Sequence, residues 1–163
     1  MRTAIRLLVL DVDGVLTDGR LYFGPRGEAL KVFHVRDGNG IVQLRRAGIA
    51  VAVISGRRSS MVAVRCRELG VQYVYQGVRD KLPVLERLCR RLKVPLAACA
   101  AVADDLPDLQ VLGAVGMSFA VADAHATVRR AVRFVTRLPG GQGAVREVCD
   151  QLLARRTRAA RTR

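Results

Sequence analysis

Residues 7–19 read LLVLDVDGVLTDG, and this stretch decides the fold. Its apolar start is typical of a strand that is buried on both faces of a parallel sheet. Asp11 and Asp13 would point to opposite faces if the strand continued, so they converge only where the strand ends and the chain curls over. The pair is therefore expected at the carboxyl end of a strand, where α/β proteins bind their ligands.

Two carboxylates held close together repel each other, and such a pair needs compensation. A cation, a shared proton or different roles for the two groups would each allow the arrangement. A nucleophile and an acid/base group around a metal ion would satisfy all three conditions.

The rest of the chain alternates helix-length segments with short runs of Val, Ala and Ile. This alternation favours an α/β fold in which parallel strands are joined by right-handed crossovers. Residues 19–35 depart from it, because two β-rich arms flank GPRG at 24–27 and predict a hairpin too short to be a separate cap domain. The other predicted strands lie at 6–10, 49–55, 71–76, 98–103, 117–122 and 134–137. The predicted helices lie at about 41–47, 59–69, 80–93, 106–115 and 125–131, and from about 144 onward.

The length and composition fit one domain with one core, since the chain has 163 residues of which 50% are apolar. We expect this domain at 1–153, followed by a flexible basic tail at 154–163. The cysteines show no CxxC spacing, which predicts buried thiols rather than disulfides or a zinc site. The apolar stretch at 5–10 is too short to span a membrane, and the Asp that follows it is atypical of a signal peptide, so we expect a cytoplasmic protein without membrane association.

The formal net charge of +14 raises the question of a nucleic-acid partner. Five arginines of the last ten residues, with no acid among them, carry much of that excess, and such a tail is typically solvated. The chain has three Tyr, four Phe and no Trp, and no patch interleaves aromatic with basic residues. We therefore do not expect nucleic acid as the main partner, whereas a positive field suits an anionic sugar phosphate.

Four polar features share one context, since each follows a predicted strand or begins the next helix. They are the Asp11/Asp13 pair, Ser55 with Gly56 in VISGR, Lys81 in RDKL, and Asp104, Asp105 and Asp108 in VADDLPDL. Taken singly, each has a structural explanation, because Asp, Ser and Gly are ordinary turn and cap residues and lysine is usually exposed. In a parallel sheet, however, all these strand ends open on the same edge, so the groups can meet in one crevice.

In this order the motifs resemble those of the haloacid dehalogenase superfamily of phosphatases. DVDGV is similar to the first motif of that family, Ser55 to the second, Lys81 to the third and DDLPD to the fourth. Further similarity to one cap-less branch lies in the hairpin and in VRDGNGI, ISGR, YQGVRDK, VADAH and GGQGAVREVCD, so the resemblance covers residues 7–153. It implies a Rossmann-like α/β fold with a central parallel sheet flanked by helices, a hairpin after the first strand and no cap domain.

The resemblance implies that Asp11 is the nucleophile and that Asp13 protonates the leaving oxygen and later takes a proton from water. It implies Mg²⁺ as the cofactor, bound by the Asp11 side chain, the backbone carbonyl of Asp13 and the Asp104 side chain. These oxygen ligands suit a hard divalent cation.

The phosphate group would be bound by the Lys81 ammonium, the Ser55 hydroxyl and the backbone at Gly56. Asp108 would orient Lys81 or a metal-bound water, and Asp105 would be a further supporting residue. Both roles are implied by the resemblance and not by spacing.

The branch acts on phosphate esters of acidic sugars, which implies a site for the sugar carboxylate. The matching positions are Arg36, Asp37, Gly38, Arg57 and Arg65, of which the arginines offer paired donors to a carboxylate. Two substrates stay open: the 8-phosphate of an eight-carbon sugar acid, which we prefer, and a sialic-acid-type 9-phosphate. A non-catalytic sugar-phosphate-binding or nucleic-acid-associated protein of the same fold is a third alternative, against which the complete motif set argues.

A cap-less phosphatase leaves its crevice open to water. The resemblance implies a homotetramer in which hairpins associate and a neighbour's surface, including its C-terminal segment, covers the site. The hairpin is more apolar than a free two-stranded ribbon should be. Its apolar residues are Leu21, Tyr22, Phe23, Leu30, Val32 and Phe33.

Overall fold

The computed structural model of the protein describes residues 4–161. It contains a six-stranded sheet with the strand order β5-β4-β1-β6-β7-β8 and a separate two-stranded sheet formed by β2 and β3. The strands are β1 Leu7–Leu10, β2 Tyr22–Gly24, β3 Gly27–Leu30, β4 Ala50–Ser55, β5 Tyr73–Gln76, β6 Cys99–Ala103, β7 Met117–Ala120 and β8 Phe134–Val135. The helices are α1 Val35–Arg46, α2 Ser60–Glu68, α3 Lys81–Leu92, α4 Leu109–Ala114, α5 Ala126–Ala131 and α6 Ala144–Arg161, with short 3-10 turns at Leu96–Ala98 and Leu106–Asp108.

All neighbours in the large sheet pair in parallel, which confirms the predicted α/β architecture. Strand β1 lies at the centre because its residues are apolar on both faces; Leu7, Leu8 and Leu10 are fully buried. Its last residue, Leu10, pairs with Val53 of β4 on one side and Val102 of β6 on the other. The residues that follow β1, β4 and β6 therefore meet at one edge of the sheet.

The insert after β1 is the predicted hairpin, with its turn between Gly24 and Gly27. Its two strands pair antiparallel with a register shift beside Tyr22. Several apolar side chains of this segment lie at the surface, among them Phe23, which is 67% exposed, and Leu30, which is 52% exposed. No separate cap domain accompanies the hairpin within residues 4–161.

Helix α1 begins at Val35, six residues before the predicted start, and it includes the RDGNG segment that was predicted to precede it. Glycine and Asn usually favour turns, but here the missing side chains make room for neighbours. A Cβ at Gly38 would lie 2.3 Å from the Arg65 guanidinium, and one at Gly40 would lie 3.0 Å from the Cys149 Cβ on α6. Close packing of Gly38 and Gly40 therefore outweighs the local preference of this segment for a turn.

Helix α6 continues to Arg161, so the prediction of a flexible tail from residue 154 differs from the structure. No Gly or Pro interrupts 144–161, and Ala and Arg favour helix. Residues 162 and 163 of the predicted tail lie outside the described residues. None of the helices described is both long enough and apolar enough to cross a bilayer.

Candidate active site

Four of the predicted site residues lie together at the carboxyl edge of the large sheet, in what we call the crevice, defined by Asp11, Ser55, Lys81 and Asp104. Asp11 follows β1 directly, and its N–H donates to the Val102 carbonyl of β6 at 3.2 Å. Ser55 ends β4, Lys81 begins α3 and Asp104 follows β6. Strand pairing thus brings together residues that are up to 93 positions apart, from 11 to 104.

Lys81 connects two carboxylates at the base of the crevice. Its Nζ donates to Asp11 Oδ1 at 2.8 Å and to both Asp108 oxygens at 2.9 Å. Burial disfavours the charged ammonium, but the Asp11 and Asp108 carboxylates outweigh it and raise the pKa of Lys81. The contact expected of Asp108 is present, so Lys81 has a fixed position.

Asp11 and Asp108 are themselves buried, with side chains 11% and 8% exposed. Burial raises the pKa of Asp11 although Lys81 opposes the shift. Burial and the nearby Asp11 charge raise the pKa of Asp108 to about 6. One lysine therefore does not fully compensate this pair of carboxylates.

Asp104 adds a third carboxylate to the crevice. Burial, followed by repulsion from Asp11 and Asp108, raises the pKa of Asp104 to about 7. The Asp104 carboxylate lies against Gly14, where a Cβ would be 2.0 Å from Oδ2 and where φ is +84°. Glycine is required at this position both for its backbone conformation and for the space it leaves to the carboxylate.

These groups fit a hard divalent cation. Asp11 and Asp104 offer carboxylate oxygens in a cluster short of positive charge, and neither histidine nor thiol intervenes. Within residues 4–161 no three His, Cys, Asp or Glu side chains converge as a ready metal site. The predicted ligand set requires only two side chains, because its third member is the backbone carbonyl of Asp13.

The second carboxylate of the DxD pair has partners of its own. Asp13 Oδ1 accepts a short hydrogen bond from Lys31, whose Nζ also lies 3.0 Å from Glu28 Oε1. Arg57 Nε lies 3.8 Å from Asp13 Oδ2, and its Nη2 lies 3.5 Å from Glu28 Oε1. The predicted residue Arg57 is thus at the crevice, whereas Lys31 and Glu28 were not predicted.

The signal for Lys31 and Glu28 was present in the sequence but ambiguous. Both lie in a hairpin whose alternation assigns residues to two faces, and charged residues on such a ribbon are usually solvated. The Lys31 side chain is only 1% exposed. The docking of the hairpin onto the domain, which the sequence does not specify, buries it.

Ser55 and Gly56 lie at the end of β4 as predicted. Ser55 is 2% exposed, and its carbonyl accepts from the Val78 N–H at 3.0 Å. Gly56 is exposed, and a Cβ there would meet only the Val78 carbonyl at 3.7 Å. The space around Gly56 therefore does not require glycine.

Two predicted substrate residues are structural, which corrects the sequence interpretation. Asp37 is 1% exposed, and its oxygens accept from the backbone N–H groups of Arg146 at 2.8 Å and Gly143 at 3.3 Å. It therefore caps the start of α6 and leaves no surface for a sugar. Gly38 is buried beneath the Arg65 guanidinium, so it serves packing rather than binding.

The remaining predicted residues lie around the crevice or away from it. Arg65 pairs with Glu68 at 2.9 Å on α2. Arg36 is exposed and lines a cavity of about 500 Å³ beside the start of α6. Asp105 is exposed and caps the 3-10 turn through the Leu106 N–H at 2.8 Å. None of the contacts described within residues 4–161 joins these three side chains to Asp11 or Lys81.

The glycine-rich loop before α6 packs against the turn after β1 that carries Asp13, a role that the sequence analysis did not assign. A Cβ at Gly140 would lie 1.7 Å from the Gly14 carbonyl, and the Gly141 N–H donates to the Val15 carbonyl at 2.9 Å. The Thr17 hydroxyl accepts from the N–H of Gly14 at 3.3 Å. The loop after β1 is thus clamped between β6 and the C-terminal glycines.

A larger cavity, of about 750 Å³, lies at the opposite edge of the sheet. Its lining includes Ile5, Met117, Arg133 and Leu152. Among the described residues that line it there is no nucleophile and no pair of carboxylates, whereas the crevice contains both. Chemistry, and not size, therefore identifies the crevice as the candidate active site.

Comparison with known proteins agrees with this geometry. The sequence model of the haloacid dehalogenase-like hydrolases matches residues 74–145. The 3-deoxy-D-manno-octulosonate 8-phosphate phosphatase KdsC of Escherichia coli K12 is 50% identical over 149 residues, which span 91% of this chain and 79% of that protein. The chain belongs to the haloacid dehalogenase-like hydrolases.

Two solved structures of this family share the fold. The Moraxella catarrhalis 3-deoxy-D-manno-octulosonate 8-phosphate (KDO 8-phosphate) phosphatase, solved with magnesium, phosphate and KDO, has a TM-score of 0.90 and 41% identity over 92% of this chain and 86% of that one. The cobalt-bound phosphatase YrbI of Haemophilus influenzae has a TM-score of 0.90 and 44% identity over 92% of this chain and 88% of that one. The haloacid dehalogenase fold of the present chain is therefore shown by sequence and by structure, and the chain is a phosphatase of this family.

Proposed function

We propose that this enzyme hydrolyses the phosphomonoester of KDO 8-phosphate to KDO and inorganic phosphate, in the synthesis of lipopolysaccharide precursors. The observation that carries the proposal is Lys81, which joins Asp11 to Asp108 beside the Asp104 carboxylate. This arrangement pairs a fixed nucleophile with a cation for phosphoryl oxygens. The 50% identity to KdsC supports the choice of substrate.

In the first half-reaction, an Asp11 carboxylate oxygen attacks phosphorus while the bond from phosphorus to the sugar oxygen breaks. The Asp13 carboxyl group gives its proton to that oxygen, which leaves as the sugar hydroxyl. Asp11 then carries the phosphoryl group as an acyl phosphate, and Asp13 is a carboxylate. Lys81 keeps Asp11 oriented for the attack and faces the phosphoryl oxygens.

In the second half-reaction, a water oxygen attacks phosphorus and its proton passes to the Asp13 carboxylate. The bond from phosphorus to Asp11 breaks, which restores the Asp11 carboxylate and releases phosphate. Asp13 is returned to its protonated form, so the cycle is balanced. One aspartate thus reverses its role between the two steps.

Asp11, Asp104 and the Asp13 carbonyl would bind Mg²⁺, which would supply positive charge between the phosphate dianion and the attacking carboxylate. The oxygen-only ligand set and the raised pKa of Asp104, about 7, support this assignment. The M. catarrhalis relative contains magnesium.

Binding of the substrate divides between two ends of the crevice. Ser55, Gly56 and Lys81 would bind the phosphate group, for which Ser55 offers a hydroxyl donor. Arg57, whose side chain is 43% exposed at the mouth of the crevice, is the best placed cation for the sugar carboxylate. Arg36 and Arg65 remain further candidates for that contact.

The exposed apolar hairpin supports the predicted homotetramer, in which a neighbouring chain would cover the open crevice. We also expect the enzyme in the cytoplasm, since all four cysteines are free and buried in the structure.

The test is phosphate release from a panel of sugar phosphates in Mg²⁺ and in EDTA. The panel contains KDO 8-phosphate, a sialic-acid-type 9-phosphate and glucose 6-phosphate. We expect kcat/KM for KDO 8-phosphate to exceed that for the others by at least about tenfold, a difference that a few discriminating polar contacts can supply. EDTA and the variant Asp11→Asn should each abolish release.

Other outcomes would replace the proposal. A preference for the 9-phosphate would assign the enzyme to nine-carbon sugar acids. Binding of sugar phosphates without release by the wild-type protein would indicate a non-catalytic member of the family.

A further inference from the structure

The hairpin inserts a buried lysine into the crevice. Lys31 follows β3, and its side chain is 1% exposed between Asp13 and Glu28. A buried ammonium costs free energy unless charged partners compensate it. Two carboxylates meet that requirement here, and one of them is the second aspartate of the DxD pair.

The contacts of Lys31 resemble those of Lys81, with one difference. Lys81 donates hydrogen bonds to Asp108, whereas Glu28 Oε1 lies 3.0 Å from Lys31 Nζ as an ion pair and accepts no hydrogen bond within residues 4–161. In each case a carboxylate of the DxD pair accepts a hydrogen bond from a buried lysine, and a second carboxylate forms an ion pair with that lysine. One group is Asp11, Lys81 and Asp108. The other group is Asp13, Lys31 and Glu28.

The two groups differ in where their lysines originate. Lys81 belongs to α3, which packs in the domain, whereas Lys31 and Glu28 both belong to the hairpin. Asp13 lies in the turn after β1, outside the sheet, and its side chain is 21% exposed. Among the side chains of residues 4–161, Lys31 is the one that donates a hydrogen bond to its carboxylate. The orientation of Asp13 therefore depends on the hairpin.

We propose that Lys31 is a positioning residue for Asp13, held in place by Glu28, so that the hairpin sets the orientation of the acid/base group within its own chain. This inference rests on the proposed function, because it assigns Asp13 the role of proton donor. Proton transfer requires the donor within hydrogen-bond reach of the leaving oxygen and aligned with it. Arg57, 3.8 Å from Asp13 and 3.5 Å from Glu28, steadies the same group from the mouth of the crevice.

The proposal predicts a dependence on the leaving group. An alkyl phosphate such as KDO 8-phosphate needs a proton on its departing oxygen, whereas the p-nitrophenolate of p-nitrophenyl phosphate leaves without one. The kcat/KM of Lys31→Met should fall by about 10- to 100-fold with the alkyl ester. This is less than the roughly 10²- to 10⁴-fold that general acid catalysis contributes, because Asp13 is misoriented and not removed. With p-nitrophenyl phosphate kcat/KM should fall by less than about threefold, since no proton transfer is lost.

Two further variants separate positioning from packing. Lys31→Arg keeps a cation beside Asp13 and should recover part of kcat with the alkyl ester while KM stays near that of wild type. Arg26→Met removes an exposed cation at the hairpin turn and is the matched control, for which both substrates should react at the wild-type rate.

Thermal melting of each variant establishes that it is folded. If Lys31→Met does not fold, Glu28→Gln carries the test, because it leaves Lys31 in place and removes the charge that holds it. Glu28→Gln should then show the same difference between alkyl and aryl esters.

Equal losses with both esters in the folded variant would overturn the proposal and make Lys31 a docking residue only. An unchanged kcat/KM with the alkyl ester would overturn it as well. If the wild-type protein does not hydrolyse KDO 8-phosphate but hydrolyses another alkyl phosphate, the proposed substrate is wrong. That alkyl phosphate then replaces KDO 8-phosphate in the comparison with p-nitrophenyl phosphate.

Discussion

At the scale of single residues, the crevice is a problem of charge compensation. The Asp11 charge helps to raise the pKa of both Asp104 and Asp108, and Lys81 is the buried cation that bonds Asp11 and Asp108. Removing one partner of a buried ion pair lowers the stability of a protein more than removing both partners. The remaining charge then lies in the protein interior without compensation. Lys81 should therefore matter to folding as well as to turnover.

Lys81→Met tests this dependence. In EDTA, we expect the free energy of unfolding to fall by about 3 to 5 kcal/mol, as for other buried ion pairs that lose one partner. Urea denaturation measures the loss, and in a separate assay in Mg²⁺ the variant should release no phosphate. Lys93→Met, which removes an exposed lysine at the end of α3, is the control. Equal stabilities of the two variants would contradict the account of the crevice.

Asp37 is the residue whose role the structure changed most. Its carboxylate accepts hydrogen bonds from two backbone N–H groups at the start of α6. Burial raises the pKa of Asp37 despite those bonds. Asp37→Ala should lower the free energy of unfolding by about 1 to 3 kcal/mol, because buried donors lose their acceptor. The KM for the sugar phosphate should stay within about twofold, since a cap makes no ground-state contact with substrate. Urea denaturation and steady-state kinetics measure both effects, and a large rise in KM in a stable protein would restore Asp37 to the binding site.

At the scale of elements, the glycine-rich loop at 140–143 is the support of the catalytic turn. Gly140 contacts the Gly14 carbonyl, and Gly14 in turn contacts the Asp104 carboxylate. The contact between Gly140 and Gly14 is between backbone atoms, so rotation of a side chain cannot relieve a clash there. A displacement there would pass to both Asp13 and Asp104.

Gly140→Ala should expose this coupling. Its Cβ would lie 1.7 Å from the Gly14 carbonyl oxygen, so the loop must move. We expect a loss of about 1 to 3 kcal/mol, typical of overpacked sites, together with a lower kcat. Gly113→Ala, in α4 where a Cβ would meet nothing within 4 Å, is the matched control and should be neutral or stabilising. Thermal melting and kcat report both effects, and a Gly140→Ala protein with wild-type kcat would show that the loop is no support.

At the scale of the whole molecule, the hairpin faces in two directions. Its charged residues Glu28 and Lys31 turn toward the crevice, while Phe23, Leu30 and Val32 lie at the surface. An apolar surface of this kind on a short ribbon favours association, and a second copy of the chain is the partner in the proposed tetramer. The hairpin would then have two roles: it would orient Asp13 in its own chain, and it would help to cover the crevice in the tetramer.

Phe23→Glu tests the assembly. The side chain is 67% exposed in the single chain, so a charge there should leave the fold intact and oppose association. We expect light scattering to show a smaller species, with reduced discrimination among sugar phosphates. Val64→Glu, at a 57% exposed apolar position on α2, is the control and should keep the wild-type mass. A wild-type chain that is monomeric and still selective would contradict the proposed role of the tetramer.

The amino-acid sequence by itself determined the order of the parallel units along the chain and the hairpin. It also determined that Asp11, Ser55 and Asp104 lie at strand ends and that Lys81 lies at the start of a helix. These follow from apolar runs, turn residues and the rule that parallel strands end on one edge, all of which depend on near neighbours along the chain. The register of β1 between β4 and β6 then brought these ends together.

Only the tertiary structure decided the roles of Asp37, Gly38, Lys31 and Gly140. Asp37 and Gly38 read as loop residues but lie in α1, because α6 and Arg65 pack against them. Lys31 reads as a solvated residue but is buried, because the hairpin docks on the crevice. Each outcome depends on contacts between segments far apart in the chain, whose free energy exceeds local propensity and is not written in any short stretch of sequence.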